Sequence, residues 1–443
     1  MLPYATSAGP LSIQPSAVAR PVDAEDVSAV LSWASQHDEP VVPRGAGTGM
    51  PGGNVGRGIA LDLSTNLRAL GPLDVPTRAV RVEPGVLAAD VDRAARQAGL
   101  FFPPLPSSAD RCTVGGMIAN NAAGARTFKY GATRDWVRSL DVVTADGDQH
   151  RLESGREIPA AFAGLHNALQ ADLGCEPEGW PSVRKNSSGY ALDRFLPDAD
   201  AVQLIVGSEG TIAVLTSATL MLAPLPEAQA LGLIVIRDLL DMPILLQWTR
   251  DHGASACEFF GRRFLEIASD ASHSVDTRNA EAALLIELDG DTDSVSAGAD
   301  SLRELAQGLG LETVVGVEEV ERNSLWSLRH AASPLIAESA QNGLVSTQII
   351  EDSVVPPEAL GLYLSGLDEI LQTADTDAVI FGHAGDANIH VNPLLDVRQP
   401  SWRDKARTIL DETADLVAGL GGTLSGEHGD GRLRAPFLES IWG

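Results

Sequence analysis

Basic charge is scarce in this 443-residue chain: 32 Lys and Arg face 60 Asp and Glu, a formal net charge of -28. That imbalance excludes direct nucleic-acid binding, which needs a positive footprint, and any anionic ligand must be held by local donors against the global field. Cysteine is nearly absent. Cys112, Cys175 and Cys257 are widely spaced and odd in number, which fits neither a disulfide framework nor a Cys-x-x-Cys metal site, so isolated buried thiols are expected. No apolar run approaches the roughly 18 to 20 residues that span a bilayer; the longest, such as Leu231 to Ile236, are of strand length. The first Arg is Arg20, so the basic start of a secretory leader is missing. The expectation is a cytoplasmic chain without a transmembrane segment, or one peripheral at a membrane.

What is present is an ordinary globular balance, 44% hydrophobic and 21% charged, over a length that favours two domains. Pro21 to His37 reads as a capped helix that breaks at Glu39-Pro40. Val41-Val42, Ile59 to Leu63 and Ala79 to Val82 read as strands, and Val86 to Gly99 as a helix. Leu140 to Thr144 reads as half a hairpin, and Val202 to Val206 and Thr211 to Leu222 as two further strands. Leu222-Ala-Pro-Leu-Pro226 is a linker candidate, because two prolines end the β pattern. Beyond it strands and helices alternate: Leu231 to Ile236, Met242 to His252, Ala283 to Leu288, Ser294 to Leu309. The pair Asp377 to Phe381 and Asn388 to Asn392 follows, then a helix from Trp402 to Leu420.

Two glycine-rich segments carry the first chemistry. Val41 to Asn54 places Gly45, Gly47, Gly49, Gly52 and Gly53 after a strand, a density that lets backbone N–H groups curl around an anion. Gly47-x-Gly49-x-x-Gly52 matches the dinucleotide fingerprint, but its context refutes that assignment: Pro51 and Gly53 and then a strand, rather than a helix, follow. A phosphate cradle outside a Rossmann fold is expected. The second segment, Pro106 to Gly124, has small side chains over nearly twenty positions, which leaves room for a flat, bulky group against the backbone and, taken alone, suits a tightly packed loop equally well.

These segments resemble the FAD-binding domain of the FAD-linked oxidase family, the vanillyl-alcohol-oxidase-like or PCMH-type fold. The agreement lies in Pro-Arg-Gly-Ala-Gly-Thr (43–48), Cys-Thr-Val-Gly-Gly (112–116), Lys129-Tyr-Gly131, Lys185-Asn-Ser-Ser-Gly-Tyr190 and Val206-Gly-Ser-Glu-Gly-Thr-Ile212, in the family's order. The resemblance implies an α+β architecture: a two-part FAD-binding domain over 1–225, an α+β cap domain with an antiparallel sheet over 226–400, and a segment over 401–443 returning toward the flavin. It implies that Pro43, Arg44, Gly45, Ala46, Gly47 and Thr48 hold the FAD pyrophosphate. Ser107, Ser108, Thr113, Gly115, Gly116, Asn121, Gly124 and Tyr130 would line the flavin and ribityl side, with further contacts from Glu209, Gly210 and Ile212. Some relatives link the flavin to a His of the first loop; Thr48 stands in the comparable place, so the FAD is expected to be noncovalent.

A second constellation lies near the end. His383 and His390 are seven apart, an odd separation that would put them on opposite faces of one strand. The turn Gly385-Asp386-Ala387-Asn388 breaks that parity, so both can converge. Gly421 to Arg432 presents Glu427 and His428 on a Gly-flanked loop. Two imidazoles and a carboxylate suit Zn, Mn or Fe(II) with an open position for substrate.

These pieces resemble the cap domain of the D-lactate, D-2-hydroxyglutarate and glycolate dehydrogenase branch of the family. By that resemblance His383, His390 and Glu427 bind the divalent metal, Asn392 and Arg329 hold the carboxylate of a small 2-hydroxy acid, and His428 is the base. Some members carry a Lys just before the Asp of the later Val-Pro segment; this chain reads Ile349-Ile-Glu-Asp-Ser-Val-Val-Pro356, closer to members fused to an iron–sulfur module. Three cysteines cannot ligate such a cluster, and the chain stops at Gly443 short of the family's return segment. A truncated or split product is therefore expected, whose electrons go to an iron–sulfur module, an electron-transfer flavoprotein, a cytochrome or a quinone. The alternatives are an FAD-binding fragment without turnover, a non-metal flavin oxidase, and a two-His-one-carboxylate Fe(II) oxygenase, which would have no use for the flavin motifs.

Overall fold

The computed structural model describes residues 2–174, 179–268, 276–330 and 343–442. Its N-terminal part begins with three parallel strands, Ala17–Ala19, Ile59–Asp62 and Val41–Arg44, the longest-range of them meeting through Ile59 paired with both Ala17 and Val41. The helix Ala24–Gln36 lies between them in sequence, its first turn closed by the Asp23 carboxylate accepting from Asp26 N–H, the usual office of an acidic N-cap. A five-stranded antiparallel sheet follows: Leu70–Asp74, Ala79–Val82, Ala213–Met221, Val137–Thr144 and Gln149–Glu153. Its apolar face joins the helices Ala88–Gln97 and Val114–Asn120 in one core around Val82, Val91, Met117, Leu140 and Leu220.

The span Val202 to Val206, expected as a strand, lies in a short helix, Ala201–Ile205, started by the Asp200 side chain accepting from Val202 N–H. Four apolar residues and a half-buried Gln203 over five positions carry no periodicity that separates helix from strand, and the cap decides it. The linker candidate is partly paired as well: Ala223–Pro224 lies antiparallel to Leu100–Phe101.

The C-terminal part is built on an eight-stranded antiparallel sheet. Its order is Thr313–Gly316, Ala228–Ile236, Ala282–Gly290, Ala256–Gly261, Ala378–His383, Asn388–Asp396, with Leu344–Ser346 and Ile350–Val354 both against the last of these. Side chains alternate faces along each strand. One face, with Ile234, Ile286, Phe259 and Val391, packs on the helices Thr292–Gly308, Leu360–Thr373 and Trp402–Gly419. The other carries Leu233, Leu285, Phe260 and Val379 under the helix Glu319–His330. That second face also bears Glu258, Glu287, His383, His390 and Asn392, all buried. The sheet is buried on both sides, so each of these polar groups requires a partner inside the molecule.

Cys112 and Cys257 are free and buried, in accord with the expected thiols, while Cys175 lies outside the described residues. No helix among the described residues is long and apolar enough to cross a membrane.

Candidate active site

A cleft of about 890 Å³ runs from the glycine-rich loops to the histidine face of the large sheet. Of the expected flavin contacts, Pro43 to Thr48, Ser107, Ser108, Thr113, Gly115, Gly116, Gly124, Glu209 and Gly210 line it; Asn121, Tyr130 and Ile212 do not. The cleft is lined here by bare backbone because chain segments approach too closely for side chains. A Cβ on Gly124 would stand 2.0 Å from the Leu105 carbonyl oxygen, and Gly47 has φ +83°, a conformation that favours glycine.

Arg44 does not point a free charge into this cradle. Its guanidinium donates to the carbonyls of Asn54, Pro3 and Thr6 at 2.8, 3.1 and 3.0 Å, so it ties the loop to the N-terminal segment. Asn121 ends the helix Val114–Asn120 in the left-handed region and accepts from Arg134 N–H. Tyr130 donates to Asp289 at 2.8 Å, beside Lys129, which reaches the same carboxylate. Arg126, in the cleft wall, forms a forked pair with Glu287 at 2.6 and 2.8 Å. Residues 126 to 130 thus clamp the flavin-side segment to the large sheet.

At the other end the sequence parity argument is realised by a turn. Strands Ala378–His383 and Asn388–Asp396 form a tight hairpin closed by a 3-10 turn and a left-handed Ala387. Phe381 pairs with His390 and His383 with Asn388, so both imidazoles share a face, their centroids 5.1 Å apart. Glu427 enters from the Gly-rich loop. Its Oε1 lies 3.3 Å from His383 Nε2, 3.4 Å from His390 Nε2 and 3.5 Å from His428 Nε2. Two ligand atoms each about 2.1 Å from a tetrahedral zinc stand roughly 3.4 Å apart, so the spacing fits a divalent cation.

Each donor is held from behind. His383 Nδ1 meets Glu258 Oε1 at 2.5 Å, His390 Nδ1 meets the Glu351 carbonyl, and Lys185 Nζ donates to Glu427 Oε2 at 3.0 Å. Asp352 organises the loop: its Oδ2 accepts from Ser425 Oγ, Glu427 N–H and His428 N–H at 3.0, 3.0 and 2.8 Å. His428 Nδ1 lies 2.7 Å from Glu351 Oε2, which places a proton on Nδ1 and turns Nε2 toward Glu427. Arg434 pairs with Glu351 in turn.

Charge in this pocket is lopsided. Glu258, Glu351, Asp352, Asp386 and Glu427 are all buried, against the cations Lys185, Arg329 and Arg434 and the half-exposed Arg184. Burial by itself would lower His428, but Asp352 and Glu351 outweigh it and push it up to about 9. His383 is raised against burial by Glu258, whereas burial lowers His390. Glu427 sits well below the carboxylate range, burial being overcome by Lys185 and His383. The carboxylate excess draws protons to His383 and His428, and a cation bound here would displace them.

Arg329 and Asn392 both face this end of the cleft, with Trp326 and Asn323. Asn392 Oδ1 accepts from Ser346 at 2.9 Å, and Arg329 Nε donates to Glu258 Oε2 at 2.7 Å. Glu258, Lys185, Asp352, Glu287 and Arg126 were not among the expected site residues. For two of them the signal was available: Glu258 and Glu287 interrupt otherwise apolar strands, Ala-Cys-Glu-Phe-Phe-Gly and Ala-Ala-Leu-Leu-Ile-Glu-Leu, and a buried strand carboxylate demands a partner.

A cleft walled by glycine loops and ending in imidazoles is that of an FAD-linked oxidoreductase. Residues 15–153 match the family of FAD binding domains, and residues 225–443 match the C-terminal domain of FAD linked oxidases. The glycolate oxidase subunit GlcD of Bacillus subtilis is 31% identical over 96% of this chain and 83% of its own length. A D-lactate dehydrogenase of Archaeoglobus fulgidus is also 31% identical, over 96% and 85%. In fold, the chain is similar to p-cresol methylhydroxylase with substrate bound, at TM-score 0.71 and 14% identity over 99% of this chain and 86% of that one. This chain belongs to the FAD-linked oxidase family.

Proposed function

We propose that the protein oxidises a D-2-hydroxy acid, of the D-lactate, glycolate or D-2-hydroxyglutarate type, to the 2-oxo acid and passes the electrons to an acceptor other than oxygen. The supporting observation is the meeting of three Nε2 atoms at Glu427 Oε1 at the end of a cleft shaped for a flavin. The similar proteins named D-lactate dehydrogenase and D-2-hydroxyglutarate dehydrogenase support the substrate class.

In this reading the chain divides into an FAD-binding part over 1–225, a cap over 226–400 and a C-terminal segment over 401–443. Backbone N–H groups of 45–48 hold the pyrophosphate of noncovalent FAD, since the Arg44 guanidinium is engaged elsewhere. Asn121, Tyr130 and Ile212 act behind the cleft wall. His383, His390 and Glu427 hold a divalent metal. When bound, FAD supplies the two-electron acceptor, and the cation supplies the positive charge that acidifies the substrate hydroxyl.

Arg329 and Asn392 orient the substrate carboxylate, which fixes the hydroxyl toward the imidazoles. Once its resting proton is displaced by the bound cation, His428 Nε2 would take the hydroxyl proton. Glu351, on its Nδ1, holds the tautomer and stabilises the imidazolium that results. Purified yellow protein mixed anaerobically with a panel of hydroxy acids should bleach with glycolate or with one or more D-enantiomers and not with L-lactate. Bleaching by none of them would refute the substrate class. The acceptor, whether an iron–sulfur module, an electron-transfer flavoprotein, a cytochrome or a quinone, is identified by reoxidation assays with each.

A further inference from the structure

Glu258 is wholly buried in the middle of an apolar strand. Its two oxygens go in opposite directions: Oε1 to His383 Nδ1 at 2.5 Å, and Oε2 to Arg329 Nε at 2.7 Å. The strand register explains the first contact, because Glu258 and His383 are a cross-strand pair, and such pairs place side chains on one face within reach. The helix Glu319–His330 lies over that face and brings Arg329 from the other side. Phe381, also on this face, stacks beneath the guanidinium with 4.9 Å between them.

We infer that Glu258 is a positioning residue that sets the tautomer of His383 and the direction of Arg329 together, so that cation site and carboxylate clamp are built on one buried side chain. The inference rests on the proposed function. An ionised carboxylate accepts on both oxygens, so it takes the Nδ1 proton of His383 and leaves Nε2 bare toward Glu427 and His390. It takes Nε of Arg329 as well, which turns the guanidinium by its stem rather than by its terminal fork. No neutral side chain of this shape does both. In Glu258→Gln the amide oxygen must face Arg329, which only donates, so the amide NH2 faces His383 Nδ1. That forces the His383 proton onto Nε2, the nitrogen turned to the cation.

The test uses FAD-loaded protein stripped of metal by chelation and titrated calorimetrically with zinc or manganese alone. Glu258→Gln should bind either ion about 10 to 100 times more weakly, the usual effect of losing a group that orients a metal ligand, with FAD content unchanged and KM for the hydroxy acid raised. A metal affinity equal to wild type overturns the inference. His383→Ala in the same titration separates the two levels: if it too binds metal normally, the metal reading itself fails. Should Glu258→Gln not fold, the wild-type protein still decides. Long-range proton–nitrogen correlation of the metal-free form, taken at a pH where the ring is neutral and assigned by the signal lost in His383→Asn, should show the His383 proton on Nδ1 with Nε2 bare. A neutral ring with its proton on Nε2 overturns the inference.

Discussion

The loop bearing Glu427 and His428 hangs on Asp352, and Asp352→Asn tests how much. Asp352 is fully buried. On one side it accepts from Asn388 Nδ2 at 3.1 Å, and on the other from Ser425, Glu427 and His428, with Arg434 at 3.4 Å. Asparagine has the same shape but one acceptor, so one side must set an NH2 donor against donors. A hydrogen bond to a charged group contributes about 1.5–3 kcal/mol, and a buried N–H left unmade costs about as much again. The lost bond and the unmade donor together come to roughly 3–6 kcal/mol. At about 2–4 °C per kcal/mol for a cooperative unit of about 150–250 residues, that is a melting temperature lower by roughly 6–24 °C. Thermal unfolding followed by flavin fluorescence reads the first effect, and stopped-flow flavin reduction reads the second, which should fall because the Glu427 carboxylate and His428 Nε2 lose their fixed relation. A variant that melts with wild type and reduces its flavin at the same rate would refute the view that Asp352 organises this loop.

Replacing His428 by Asn should slow substrate-driven flavin reduction by about 10² to 10⁴, the range of a general base, while equilibrium binding of the 2-oxo acid persists; stopped-flow and a binding titration separate the two. Gly124→Val should abolish FAD retention, because its Cβ would lie 2.0 Å from the Leu105 carbonyl oxygen; the absorbance ratio of flavin to protein measures it. Burial pushes Glu209 up to about 7, against the N–H groups of Gly431 and Asp430. Its folded pKa lies above the unfolded value near 4.5, so the native state holds the extra proton and stability falls as pH rises between about 4.5 and 7. Glu209→Gln should therefore gain in melting temperature relative to wild type across that window, and a difference independent of pH would contradict the reasoning.

The sequence was most legible where a backbone constraint writes itself into residue type. Glycine density at 45–53 and small residues at 106–124 mark a backbone that is approached closely, and at Gly45, Gly47 and Gly124 an added Cβ would meet another group. The histidine hairpin was legible because strand parity is arithmetic: seven residues apart with a Gly-Asp turn between returns both rings to one face. Val202 to Val206 failed because a short, mostly apolar run has no period that separates helix from strand. The supporting carboxylates are a different case. Glu258 and Glu287 are acids in apolar strands and went unremarked, because which cation each would meet depends on strand register and on the helix laid over the sheet, and neither is local. Lys185 lies over 200 positions from Glu427 in sequence, and only the packed fold brings its amine to 3.0 Å.

The most direct test is metal dependence of the half-reaction. Flavin absorbance should bleach when the FAD-loaded protein meets its D-2-hydroxy acid without oxygen, stop bleaching after chelation with FAD still bound, and bleach again when zinc or manganese is returned. Full-rate bleaching by chelated protein would contradict the account.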